Sequence, residues 1–248
     1  MTPAAVMTPS RPAFAGLDGI GIAVALALGL ALWLLARPTA AAPPDLVSAR
    51  VESAGGTPLF AMPHEVTVAE WNLCADAGGC ALRLTVRRPG TEAVTPATGL
   101  NWFDVTEYVG WISARSGQPL RLPTLAEWQA MAAEVLPEAP KPIFTDPQLG
   151  WASSYLLAPP PRALRPQGSF RATEAGIADL TGPVWEWTSD CFAPDLAGPR
   201  CPAYFVAGEH VAAIPVFTRD PARGGCAMGA PPAHLGLRLV SDRAPPLS

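Results

Sequence analysis

The stretch from Gly176 to Cys191 reads Gly-Ile-Ala-Asp-Leu-Thr-Gly-Pro-Val-Trp-Glu-Trp-Thr-Ser-Asp-Cys and sets two tryptophans around one carboxylate, Glu186. Side chains of an extended segment alternate between faces. Trp185 and Trp187 therefore share one face, and Val184 and Glu186 share the other. The indoles require an apolar core on their side. On the opposite side Glu186 needs partners, because a buried carboxylate without hydrogen bonds or a counter-charge costs several kcal/mol, on the order of the penalty for unpaired buried polar groups. A cation, a metal or a set of backbone N–H groups must meet it.

The rest of the chain limits what can be built around this segment. Thirty prolines and 22 glycines among 248 residues interrupt regular elements too often for a helical bundle. Short elements joined by ordered loops are expected. The apolar share of 49%, with eight tryptophans, is ample for a core. A net charge of −4, a single lysine (Lys141) and no basic run longer than Arg87-Arg88 argue against a nucleic-acid partner.

Ahead of the folded part lies an uncharged apolar run, Gly19 to Ala36. At 1.5 Å per residue it has about the length that crosses a bilayer core. It exceeds the apolar stretch of roughly 7–15 residues in a secretory signal, so it predicts an uncleaved anchor. The organisation read from the chain is a cytoplasmic tail at 1–15, a transmembrane helix at 16–37, a linker at 38–57, a folded domain at 58–242 and a loose tail at 243–248.

The cysteines set the compartment. Four of the five fall into two close pairs, Cys74 with Cys80 and Cys191 with Cys201, while His64, His210 and His234 are scattered. Metal sites need closer spacing and additional ligands, so two disulfides are the reading. Such bonds persist in oxidising compartments. They place the domain in the periplasm and the apolar run as a single pass through the inner membrane.

Local signals predict three helices. Thr67 and Glu70 form a capping box, in which each side chain satisfies the other residue's free backbone N–H. Asn101 is placed to cap a run in which Trp102, Val105, Val109 and Ile112 recur at helical spacing, with Gly117 as its terminator. Thr124 and Glu127 form a second capping box after Pro123, opening a helix that runs to about Val135. A strand is expected within 46–51, and Pro137 to Gln167 reads as ordered coil.

With these pieces in order, the chain resembles the formylglycine-generating enzyme family of sulfatase-modifying-factor domains. The matching stretches are Glu65-Val-Thr67, Asn101-Trp102 with Tyr108 and Trp111, Arg121-Leu-Pro-Thr124 with Glu127-Trp128, Gly176 to Asp190, Arg223-Gly-Gly225, and Gly236-Leu-Arg238. The resemblance implies an α+β fold of the C-type-lectin kind, with few helices around small sheets and long coil. It also implies that Arg121, Glu127 and Glu186 form a buried structural polar core, with Arg121 a candidate to hold Glu186.

Catalytic members convert a sulfatase cysteine to formylglycine through two active-site cysteines that bind copper shortly after the arginine–glycine–glycine motif. Here that region holds one cysteine, Cys226, followed by a short proline-containing link. Cu(I) chemistry of that type requires both soft sulfurs, so copper is not expected, and Cys226 is left as a weak catalytic candidate. Cys226 with Met228 and His234 could form a soft-metal site, although packing roles explain the cysteine and methionine more simply.

Family members also bind calcium near the Trp-Glu-Trp segment. Asp179 and Glu186 are the candidates here, but Pro183 stands where relatives carry an asparagine ligand. The functional expectation is a membrane-anchored accessory or binding subunit with a protein partner, in a membrane complex. A formylglycine-type oxidase with a rearranged site and a glycan- or small-ligand-binding surface are the alternatives.

Overall fold

The computed structural model describes residues 48–52, 56–137, 163–192, 201–219 and 233–244. The expected anchor at 16–37, the tail at 1–15, residues 245–248 of the tail expected at 243–248, residues 138–162 of the coil expected at 137–167, and Cys226 with Met228 lie outside them. Among the described residues no helix is long and apolar enough to cross a membrane.

Three helices form where the caps place them. Helix α1 spans Val68–Asp76, and Thr67 and Glu70 complete the reciprocal capping box. Helix α2 spans Trp102–Ser116. Its cap, Asn101, exchanges hydrogen bonds with Asp104, and Gly117 ends the helix with φ 66°, a left-handed conformation that glycine adopts without steric cost. Helix α3 spans Leu125–Ala132 behind Thr124 and Glu127. It ends earlier than the apolar pattern suggests. Val135 is nonetheless buried, carried in by the turn that follows.

Among the described residues seven strands form two small sheets. One has the order β1-β2-β7, with β1 Ala49–Glu52, β2 Pro58–Ala61 and β7 Val240–Ser241, all antiparallel. The other has the order β5-β4-β3-β6. Its centre is β3, Val184–Cys191, paired antiparallel with β4, Ala203–Ala207, and parallel with β6, His234–Gly236. Strand β5, Val211–Pro215, closes the outer edge against β4. The strand expected in 46–51 forms slightly later, at Ala49–Glu52.

Alternation along β3 divides the interior as its sequence predicts. Trp185 and Trp187 face the larger core, which also takes Trp71 and Cys74 from α1, Val105, Tyr108 and Ile112 from α2, and Leu235 from β6. Glu186 points the other way. Trp128 and Met131 of α3 pack there with Ile177, Leu180 and Val240 in a second core. Each fully buried side chain of this size contributes roughly 1.5–3 kcal/mol through removal from water.

Two disulfides link Cys74 to Cys80 and Cys191 to Cys201, as their spacing predicts. The first staples the end of α1 to the loop after it. The second closes the connection between β3 and β4.

Candidate functional site

The chemistry promised by Glu186 resolves into a buried clasp. Glu186 and Arg238 are both 0% exposed. Arg238 Nε donates to both oxygens of Glu186 at 3.1 Å, and its Nη2 donates to Oε1 at 2.9 Å. The remaining guanidinium N–H groups reach the carbonyls of Met62 and Ala178, each at 2.8 Å. The indole N–H of Trp128 then donates to Glu186 Oε2 at 2.7 Å. Four separate segments of chain meet at one guanidinium. Burial acts to lower the Arg238 pKa, but the charge of Glu186 and the hydrogen bonds to it outweigh that and hold the group protonated.

Glu65 is the second carboxyl at this centre and is 1% exposed. Its Oε2 has no hydrogen-bond partner among the described residues. Burial pushes its pKa up to about 8, with Arg238 partly opposing the rise and Glu186 adding to it. Glu65 is therefore predominantly protonated at neutral pH. One guanidinium balances Glu186, and a second ionised carboxylate beside them would lack a counter-charge.

Asp179 stands behind them with φ 70°, a left-handed backbone that aspartate tolerates better than most residues. Its Oδ1 accepts from the Phe170 N–H at 2.9 Å, and its Oδ2 accepts from the Gly168 N–H at 2.5 Å. His64 Nδ1 lies 3.1 Å from Oδ2. Asp179 thus fastens the loop at 168–170 and the segment leading into β3.

Arg121 does not hold Glu186, contrary to the expected pairing. It lies at the surface, donating to both oxygens of Glu127 at 2.7–2.8 Å and to both oxygens of Asp242 at 2.5–3.2 Å. A pair of backbone bonds between Arg121 and Val240 keeps it beside β7. The Arg121 guanidinium is taken up by Glu127 and Asp242, and Arg238, two residues beyond β6, meets Glu186 instead. Glu127 is also bound by the N–H of Thr124. Burial acts to raise its pKa, but Arg121 and the Thr124 bonds hold it below the ordinary carboxylate value. The expected polar core therefore separates into a surface pair and a buried clasp.

These contacts define what the carboxylates can do. Both oxygens of Glu186 are committed to N–H donors and no surface of the side chain is open to a substrate. The two oxygens of Asp179 are likewise committed to N–H donors. A hard cation wants six or more oxygen ligands, and N–H groups already aimed at these oxygens oppose it. Asp179 and Glu186 do not fit a calcium site. Among the described residues no group of three His, Cys, Asp or Glu side chains is arranged to hold a metal. His234 sits at the start of β6, while Cys226 and Met228 lie outside the described residues.

The chain has five cysteines, and four are joined in disulfides, leaving Cys226 as the one remaining sulfur of that type. A dithiolate cannot form from it alone.

Sequence reasoning identified Glu186 as needing a partner but did not assign that role to Arg238, Trp128 or Glu65. A signal existed. Arg238 sits inside Leu235-Gly-Leu-Arg-Leu-Val240, where flanking apolar residues mark an arginine drawn into the core.

Comparison with known proteins agrees with this architecture. The sequence pattern described as "Sulfatase-modifying factor enzyme 1-like domain" matches residues 51–243. No curated protein matches the chain. Among solved structures, it is similar to PvdO from Pseudomonas aeruginosa at 18% identity and TM-score 0.47, over 81% of this chain and 88% of that one. It is similar to CarF at 17% identity and TM-score 0.47, over 75% and 87%. A third likeness is to Treponema denticola variable protein 1, at 15% identity and TM-score 0.45, over 75% and 85%.

Proposed function

The chain belongs to the sulfatase-modifying factor enzyme 1-like domain family, and from that premise we propose that it is a membrane-anchored periplasmic member without the copper chemistry, working as a binding or accessory subunit. The observation that carries this reading is the use of the cysteines. Two disulfides take four of the five and leave one sulfur where a copper dithiolate needs two.

The polar residues of the Trp-Glu-Trp segment support the same reading. Glu186 is enclosed by Arg238 and Trp128 and serves architecture. The disulfides favour an oxidising compartment, and the run from Gly19 to Ala36 supplies an anchor of bilayer length. An intact fold with its reactive centre missing, tethered beside a membrane, suits holding another protein in place.

Purification of the full chain from native membranes in mild detergent tests this. A stoichiometric protein partner is expected, together with one titratable thiol per unfolded, unreduced chain. Isolation as a partner-free monomer, or three or more free thiols, would overturn the reading.

A further inference from the structure

After the Cys74–Cys80 disulfide the chain runs along α1 without joining either sheet. Leu82, Leu84 and Val86 are half-buried while Ala81, Arg83, Thr85 and Arg87 are exposed, which is the two-residue repeat of extended chain. Helix α1 substitutes for a neighbouring strand. Asn72 Nδ2 donates to the Leu84 carbonyl and Asn72 Oδ1 accepts from the Leu84 N–H, both at 3.0 Å. Trp71 Nε1 donates to the Leu82 carbonyl at 2.8 Å.

In extended chain the backbone groups of adjacent residues point to opposite sides. Those of Leu84 face α1, so those of Thr85 face away. Among the described residues the N–H and C=O groups of Thr85 and Arg87 have no partner. This is an open strand edge, the feature that recruits another chain by strand addition.

The edge borders a cleft of about 650 Å³, closed on its far side by Leu164, Arg165 and Pro166. That volume lies in the ordinary range of ligand clefts. Arg87, Arg88 and Arg165 line it, and none of the described lining residues is acidic, in a chain whose net charge is −4. Among the described residues none of these three arginines has a carboxylate partner, unlike Arg83, Arg121, Arg219 and Arg238. The hydroxyls of Thr91 and Thr95 donate to the carbonyls of Arg88 and Thr91. The cleft therefore offers a ligand guanidinium charge and bare backbone over a partly apolar lining that includes Leu84, Val86 and Leu164, a combination that matches a peptide better than a sugar.

We infer that this cleft binds an extended acidic segment of a partner protein, laid as an added strand along Thr85 to Arg87 with its carboxylates on Arg87, Arg88 and Arg165. The inference rests on the accessory reading above and names the site and the chemistry of the partner.

The test uses the full chain in detergent and a fluorescein-labelled octapeptide of alternating Glu and Val, followed by anisotropy. Binding is expected to weaken with added salt. The Arg87→Glu, Arg165→Glu double variant should weaken it about tenfold with an unchanged denaturation midpoint, since both side chains are exposed. A peptide N-methylated at alternate residues should lose binding, because it keeps the charge and removes the strand donors. Equal binding by a Lys–Val peptide, by the N-methylated peptide or to the double variant would overturn the inference, as would absence of binding by the Glu–Val peptide. Binding of a sulfated oligosaccharide in preference to the peptide would overturn it too. The membrane purification separates the two levels. A partner retained by the double variant leaves the accessory role standing and removes this cleft, whereas no partner in either form removes the accessory role and leaves the anisotropy to judge the cleft.

Discussion

Replacing Arg238 with Met probes the clasp most sharply. The substitution leaves a flexible side chain of comparable length and deletes the guanidinium N–H groups that reach Glu186, Met62 and Ala178. Glu186 would retain the single bond from Trp128 as a buried charge. Removing one partner of a buried pair costs about 3–5 kcal/mol. Two orphaned carbonyls add about 1 kcal/mol or more each, so a loss of about 5–7 kcal/mol is expected, against a total stability of roughly 5–15 kcal/mol for a domain. In urea, with a slope of roughly 2 kcal/mol/M, the midpoint should fall by about 3 M, or the variant should not fold. Adding Glu186→Gln should recover a substantial part of the loss, since the amide oxygen still accepts from Trp128 and the stranded charge is gone. A cost below about 1 kcal/mol for Arg238→Met, or a double variant no more stable than the single one, would refute the assignment of Arg238 as the counter-charge of Glu186.

The surface pair should behave differently: Asp242→Ala removes an exposed partner of Arg121, and equilibrium denaturation should show a loss of no more than about 1 kcal/mol. Glu65 makes stability depend on pH. Its folded pKa of about 8 lies above the ordinary carboxyl value of 4.5, so its contribution is complete below pH 4.5 and declines as pH rises through 8, by at most about 1.4 kcal/mol per pH unit. Denaturation from pH 5 to 9 should show this slope, and Glu65→Gln should flatten it. Gly236→Ala should destabilise by about 1–3 kcal/mol in thermal or urea unfolding, because the new methyl would meet Val184 Cγ1 at 2.6 Å and the Ala97 carbonyl at 2.9 Å where β6 lies beside β3.

The features legible in the sequence were those written over short distances. Capping boxes at Thr67 and Thr124 span three residues and fix where α1 and α3 begin. The alternation across Trp185, Glu186 and Trp187 correctly divided the two cores, because a strand's faces follow from its period alone. The disulfides were legible for the same reason, each pair lying within ten residues.

What escaped depends on long-range pairing. Glu186 and Arg238 are 52 positions apart, and nothing local distinguishes Arg238 from Arg121 as the partner. Only the register of β3 with β6, pairing Glu186 with Gly236, brings Arg238 to the carboxylate. Strands of two to five residues such as β7, β6 and β5 are too short for periodicity to reveal. Glu65 showed its place in a motif but not its burial, which depends on the chain passing beneath Asp179 and Arg238. The open edge at Thr85 was invisible because the other edge of that segment, at Leu84, pairs with Asn72, a helix side chain in place of a strand.

The measurement that bears most directly on the proposed accessory role is the mass of a sulfatase-type cysteine peptide after incubation with the full chain, copper and oxygen. With four of five cysteines in disulfides, the peptide mass should stay unchanged, and it should stay so for Cys226→Ser as well. Conversion of the peptide cysteine to formylglycine, abolished by Cys226→Ser, would contradict the proposed accessory role.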